Sequence, residues 1–346
     1  MLTERRQRLL QFIIDEYVDT AQPVGSGAIV QKYHLPLSSA TVRNEMACLE
    51  EEGYIIQPHT SAGRVPTDRG YRYYVEVLMP EETVQENDQQ TIRHQFHQAA
   101  RELEEWAHLA AAVLAARLHN AAVVTAPYSP QPRLRWLELV SVHDYLALLV
   151  VVLQEARVLQ QTLALEQPLS QEELAAVGRR LNDLFAGMTA AQISSRGAEL
   201  SPLESAVVGA AASLLEGVDA SGLELSLRQA QGRLFLEGVR DLLRQPEFAH
   251  SERILGLLEL LEGRNLPKAI PLGPLAAHEI RITIGGEHPA DAMRLCSVVT
   301  ARYSGPSGLR GTLSVVGPTR MHYPRAVSLV RYMATLMEEL LGVYFA

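Results

Sequence analysis

Residues 38–72 read SSATVRNEMACLEEEGYIIQPHTSAGRVPTDRGYR. Ser38 and Ser39 both suit a helix N-cap, because a serine hydroxyl accepts a hydrogen bond from an orphan backbone N–H. Val42, Met46 and Leu49 recur at helical spacing and predict a buried stripe. The opposite face of the first two turns carries Ser39, Thr41, Arg43 and Asn44. Arginine pairs bidentately with guanine and asparagine with adenine, the code of the DNA major groove. Gly53 suits a left-handed cap after the last turn. Tyr54-Ile55-Ile56 then has strand character, residues 58–63 (PHTSAG) supply a turn, and Arg64-Val65-Pro66 returns. A helix read from its outer face and followed by a hairpin can set one element in the groove and another against the adjoining backbone.

Two helices are expected upstream. Thr3 can cap the first, whose apolar residues are Leu9, Leu10, Ile13, Ile14, Tyr17 and Val18. The turn Gln22-Pro23-Val24-Gly25 breaks the chain. Ser26 can open a short second helix with Ala28, Ile29 and Tyr33, ended by Pro36. Three helices with a tight link before the third make a helix-turn-helix. Thr67 can cap a fourth helix bearing Tyr71, Val75 and Leu78. Such a unit binds DNA or mediates protein contacts. Residues 1–79 hold eight lysines and arginines against ten acids, a net of −2. A basic domain is the usual footprint of a DNA binder. Here the acids cluster at Asp15-Glu16, Asp19 and Glu50-Glu51-Glu52, whereas the cations sit at the chain start, the third helix and the hairpin. Distribution then decides the local potential.

The whole chain has 346 residues, 47% hydrophobic and 21% charged, with a formal net charge of −9. This is globular composition, enough for two or three domains. Met1-Leu2-Thr3-Glu4 leads straight into a charged helix, so no signal peptide is read. The apolar run Tyr145–Leu153 is too short to span a bilayer. A cytoplasmic protein without membrane association is expected. Cys48 and Cys296 lie among apolar neighbours and read as small buried hydrophobes, without a disulfide between them.

Residues 80–90 (PEETVQENDQQ) read as a linker. One long helix is expected from about Gln89 to Leu118, with Ile92, Phe96, Leu103, Trp106 and Leu114 in its seam. Strands are expected at residues 121–124, 134–142, 145–153 and 157–165, in the manner of an antiparallel meander. Ser170 caps a helix to about Phe185. Residues 193–271 turn helix-rich, at 202–215, 237–243 and 251–261, with one short strand at 233–236. Strands resume at 279–284, 295–303 and 311–316, and an amphipathic helix follows from about Tyr323 to Leu341. The pattern is α+β and multidomain, with a helical block inserted into a sheet-forming domain.

Signals for chemistry are thin. There is no phosphate-binding glycine loop, no dinucleotide fingerprint and no serine elbow. His94-x-x-His97 could share a helical face, but no further ligands complete a zinc set; a solvated face accounts for it. Glu287 and His288, in the loop IGGEHP, have no nucleophile beside them and are read as satisfying a turn. No enzyme, metal or cofactor is expected.

The stretches LTERRQRLL, PVGSGAI, residues 38–75, EGVRDLLRQPEF and GTLSVVGPTRMHYPRAVSLV together resemble the HrcA family of bacterial heat-inducible transcription repressors. The resemblance runs over nearly the whole chain, and PHTSAGR-x-PTD-x-GYR and GPTRM-x-Y are its specific parts. Gly27 stands where the family usually has arginine, and His322 where an acid is common. The resemblance implies a winged helix-turn-helix at 1–79, a linker at 80–90, a GAF-like α/β domain at 91–192 and 272–346, and a helix-rich dimerisation domain inserted at 193–271. It implies a homodimer that represses chaperone operons by binding double-stranded DNA at the inverted-repeat CIRCE operator, modulated by temperature and the chaperonin. Arg43 and Asn44 are the candidates for base edges. Ser38, Ser39 and Thr41 would orient the helix or read bases, and His59, Thr60, Ser61 and Arg64 would carry hairpin contacts. Lys32 and Arg72 are the backbone candidates. A repressor tuned by a small effector in the GAF-like domain is the other reading.

Overall fold

The computed structural model describes residues 2–345 apart from 60–61, 100–101, 130, 155–156, 197–198, 220–233, 249–252, 263–269, 271–274 and 277. The fold is α+β, a helical N-terminal region ahead of mixed α/β parts. It divides into two compact units. One comprises Met1–Ala126, Arg233–Tyr303 and Thr312–Leu340; the other comprises Pro127–Gly232, Ser304–Gly311 and Leu341–Ala346.

The first unit opens with α1 (Glu4–Thr20), α2 (Ser26–Lys32) and α3 (Ser39–Glu51). α1 buries Leu9, Leu10, Ile13 and Ile14, and ends where Ala21 turns left-handed and its N–H reaches the Tyr17 carbonyl. Thr3 holds the N-cap position, but its hydroxyl makes no capping bond. Ser26 is the first residue of α2 rather than its cap, which is Gly25. α3 buries Val42, Met46 and Leu49, the expected stripe. Its cap is Ser38, whose hydroxyl accepts the Thr41 N–H at 3.1 Å. The hairpin follows as β1 (Ile55–Ile56) and β2 (Val65–Pro66), antiparallel with Ile55 opposite Pro66. Arg64 also exchanges two backbone bonds with Val24, at 2.8 and 2.9 Å. A side chain at Gly63 would put its Cβ 2.5 Å from the Val24 carbonyl, so this pairing needs glycine there. Thr67 caps α4 (Asp68–Tyr73) by accepting the Gly70 N–H at 3.1 Å. The helix then widens into a π turn, Tyr74–Leu78.

The single long helix expected from Gln89 is two helices, α5 (Glu86–Gln98) and α6 (Leu103–Leu118). The chain turns extended at Ala99, with ψ 151°. Ile92, Phe96 and Trp106 are buried on both sides of the break, so apolar periodicity runs through it unmarked. α5 also begins inside the stretch read as linker.

The strands that follow are β3 (Ala121–Thr125), β4 (Leu134–His143), β5 (Leu146–Leu153), β6 (Val158–Ala164), β7 (Leu234–Glu237), β8 (Ile280–Ile284), β9 (Cys296–Ser304) and β10 (Arg310–Pro318). Five of them form one sheet in the order β7-β3-β10-β9-β8. Val123 faces Ser314 on one side and Leu236 on the other. β3 is buried at every position, as a central strand covered on both faces must be. α6 packs on β3 and β7. The last helix, Tyr323–Tyr344, buries Val330, Met333 and Met337.

In the second unit β4, β5 and β6 form a separate antiparallel meander. Its inner face, with Leu137, Leu139, Leu149 and Val151, shares a core with Leu174, Leu181 and Phe185 of α7 (Gln171–Phe185) and with Val207, Ala211 and Leu215 of α9 (Pro202–Asp219). Between these two helices lies α8 (Ala190–Ser195), an element the sequence did not suggest. Buried Asn182 fixes α7 to β4: its amide accepts from Leu137 N–H and donates to Leu137 C=O, both at 2.8 Å. The interruption expected at 193–271 does not coincide with this unit, which takes in the meander as well. The helix Arg253–Glu262 belongs to the first unit instead. A meander pairs locally, so its pattern does not say which sheet it joins.

Candidate nucleic-acid interface

Ser39, Arg43 and Asn44 stand exposed on the outer face of α3. Ser38 and Thr41 are tied to one another, their hydroxyls 2.9 Å apart. Three of the four acids in and at the end of this helix are paired with groups outside it. Glu45 takes Arg6 at 2.9 Å and Arg5 at 3.4 Å. Glu52 takes Arg6 at 2.8 Å. Glu50 takes Arg64 at 2.9 Å and the Gln57 N–H at 3.0 Å. The hydrogen bond from Arg6 holds the Glu45 carboxyl below its ordinary range. Surface pairs of this kind stabilise weakly. Their effect here is on the field, because they offset the negative charge beside the exposed face.

The other candidate cations are placed differently. Lys32 pairs with Glu16, with Asp19 at 3.7 Å. Arg64 lies against Glu50, its side chain 16% exposed. Arg72 is bound to Glu287 and donates to the Ile282 carbonyl at 2.7 Å. Its directional bonds are made inside the protein, so it is not free for the DNA-backbone contact expected of it. Arg43 forms no ion pair among the described residues. His59 is exposed in the hairpin, and Thr60 and Ser61 lie outside the described residues.

The sequence reading missed Arg69, whose guanidinium lies 4.6 Å from the centre of the Tyr54 ring. It also missed Asp68, Glu247 and Arg320. Each sits within a motif that carried the resemblance, and that was the available signal. Glu287 satisfies a turn as expected, accepting the Ile284 N–H at 2.8 Å, and binds Arg72 besides.

Cys48 and Cys296 are free thiols, and burial pushes the Cys296 thiol to about 12. Among the described residues, no three His, Cys, Asp or Glu side chains are grouped to hold a metal ion. No described helix is long and apolar enough to cross a membrane.

A family model described as HrcA protein C terminal domain matches residues 104–327. The chain is 44% identical to the heat-inducible transcription repressor HrcA of Chloroflexus aurantiacus, over 99% of this chain and 94% of that one. It is 43% identical to the protein of the same name from Roseiflexus castenholzii, over 99% and 95%. A crystal structure described as a hypothetical protein shares the fold, with a TM-score of 0.64 at 24% identity, covering 99% of this chain and 100% of that one. The class is that of transcription repressors, which are not enzymes. Within it, the chain belongs to the HrcA family.

Proposed function

We propose that this protein is a dimeric, cytoplasmic repressor of chaperone operons that reads the inverted-repeat CIRCE operator through a winged helix. α3 enters the major groove, and the β1–β2 hairpin lies against the adjoining backbone. The observation that carries this reading is the outer face of α3. Ser39, Arg43 and Asn44 are exposed there while Glu45, Glu50 and Glu52 are held by arginines. Arg43 and Asn44 contact base edges. His59, Thr60, Ser61 and Arg64 serve the hairpin contacts, and Lys32 the backbone.

A two-fold dimer presents two such helices to two half-sites, so operator symmetry mirrors protein symmetry. We assign the dimer contact to the outer face of the β4–β6 meander. Trp136, Val142 and Val158 are 46%, 58% and 59% exposed there. Grouped exposed apolar side chains of this size mark interaction surfaces. The β3–β10 and β3–β7 pairings join distant parts of the chain, the kind of topology that folds slowly and profits from a chaperonin.

Footprinting on chaperone promoters tests the first claim, with protection of a symmetric element expected. Equal affinity for operator and scrambled DNA would refute it. Refolding with and without chaperonin tests the last, with operator binding as the readout. A small effector in the GAF-like part is the second reading. A cleft of about 330 Å³, where Arg117, Arg325 and Ser328 of that part meet residues 82–85 and Asp88 of the preceding segment, favours it, and a metabolite that raises the melting temperature would support it.

A further inference from the structure

Three of the motifs that carry the family resemblance meet in the first unit, where residues 2–78 (the head) contact the sheet-bearing part (the body). At one point α4 meets the loop after β8. Asp68 accepts the Gly286 N–H at 2.7 Å. Arg72 forks onto Glu287, with Nε to Oε1 at 2.8 Å and Nη2 to the other oxygen, and Nη2 also donates to the Ile282 carbonyl. The approach is close. A Cβ at Gly285, where φ is +48°, would lie 2.3 Å from Asp68 Oδ1.

At the other point the C-terminal end of α1 meets Arg320. That guanidinium forks onto Glu247 and donates to Gln245 Oε1 at 2.7 Å. Its Nη1 donates to the Val18 carbonyl at 3.1 Å. The Arg320 and Glu247 side chains are only 13% and 17% exposed. Between the two points the buried rings of Tyr71 and Tyr323 lie 5.9 Å apart.

A planar guanidinium that forks onto a carboxylate fixes direction as well as distance. One such contact leaves a pivot. A second contact on another helix of the head, the single bond from Arg320 Nη1 to the Val18 carbonyl, removes it, and the fork onto Glu247 within the body holds the Arg320 guanidinium in place to make that bond. We propose that Asp68, Arg72 and Arg320 are positioning residues for operator recognition. They hold the head at one orientation on the body through Gly286, Glu287, Glu247 and the Val18 carbonyl, and so restrict which half-site spacing the dimer accepts. This rests on the DNA-binding reading above and assigns these motifs a role away from DNA. Free heads would each still bind a half-site. The pair would lose the preset geometry on which binding two sites at once depends.

The test uses the full-length protein, the operator found by footprinting, the same operator with about five base pairs (half a helical turn) inserted between half-sites, and a single half-site duplex. Arg72→Ala and Arg320→Ala are expected to bind the single half-site like wild type. They should lose at least about tenfold on the natural operator and discriminate less against the insertion. Arg72→Glu combined with Glu287→Arg should restore discrimination, which a merely folding-deficient Arg72→Ala would not predict. If folded variants keep the wild-type ratio between the two spacings, or lose half-site affinity as steeply as operator affinity, the positioning role is wrong. If wild type itself does not prefer operator to scrambled DNA, the DNA-binding reading fails, and this proposal with it.

Discussion

Arg320 clasps Glu247 across 73 residues of chain, and the same guanidinium reaches the Val18 carbonyl at the end of α1. Arg320→Ala would strand a carboxylate that is largely shielded from water and a helix-end carbonyl that has lost its donor. Breaking such a pair destabilises more than the pair itself stabilises. A loss of about 2 kcal/mol is expected, somewhat below the fully buried case. Calorimetry should show a lower melting temperature, partly restored by Arg320→Lys. An unchanged melting curve would mean that this contact carries no stability.

Base reading is assigned to Arg43 and Asn44. Arg43→Ala is expected to weaken operator binding by about 1–3 kcal/mol and to relax preference at one position of each half-site. Lys32→Ala should weaken all sequences alike and flatten the salt dependence by about one unit of slope. Titrations at several salt concentrations separate the two. Identical behaviour of the two variants would contradict the division of roles.

His288 is 3% exposed, and burial holds its pKa below the ordinary value despite the opposing pull of Glu287 and Asp68. The folded state therefore resists a proton that the unfolded chain accepts. The stability associated with neutral His288 is fully present above about pH 6.5 and is lost as pH falls below it. Glu287 adds a loss of the same sign at lower pH. Burial raises its pKa, but Arg72 and the Ile284 N–H outweigh that and hold it below the ordinary value. Thermal melts should decline from about pH 6.5 downward, and His288→Gln should flatten the first part of that decline.

Tyr71 is 1% exposed, and its hydroxyl has no hydrogen-bond partner among the described residues. An orphan buried hydroxyl is destabilising, so Tyr71→Phe should leave stability unchanged or raise it by up to about 1 kcal/mol. A clear fall in melting temperature would reveal a bond made by that oxygen.

Trp136→Glu places a charge on the outer face of the β4–β6 meander without touching its core. Sedimentation should then show a shift from dimer to monomer, since loss of a hot-spot aromatic costs an interface about 2 kcal/mol or more and the buried charge adds to it. A variant that remains dimeric at the same concentration would move the dimer contact elsewhere.

What could be read from the sequence was local. Ser38, Val42, Met46 and Leu49 specify α3 within three turns, and Ser170 with Glu173 forms a capping box at α7. The candidate base-reading face came from the same short range. Contacts that join distant segments were invisible. Arg72 looked like a free cation because its partner Glu287 lies 215 residues away. The pairing of the acids at the end of α3 was hidden as well, because Arg6, which binds Glu52, stands 46 residues upstream. The break at Ala99 escaped notice because apolar residues continue on both sides of it. The order of the five-stranded sheet was not legible either, because nothing within β3 names its neighbours, β7 and β10.

That last pairing also sets a clock. The Thr125 hydroxyl accepts the Thr312 N–H, 187 residues downstream. At ribosomal rates of about 5–20 residues per second, the emerging β3 waits roughly 10–40 s for that partner. α1, α2, α3 and the hairpin are complete well before then. During that interval β3 gains β7 on one side while its other edge stays open until β10 emerges. An open, apolar strand edge of that kind can pair with another chain until β10 covers it.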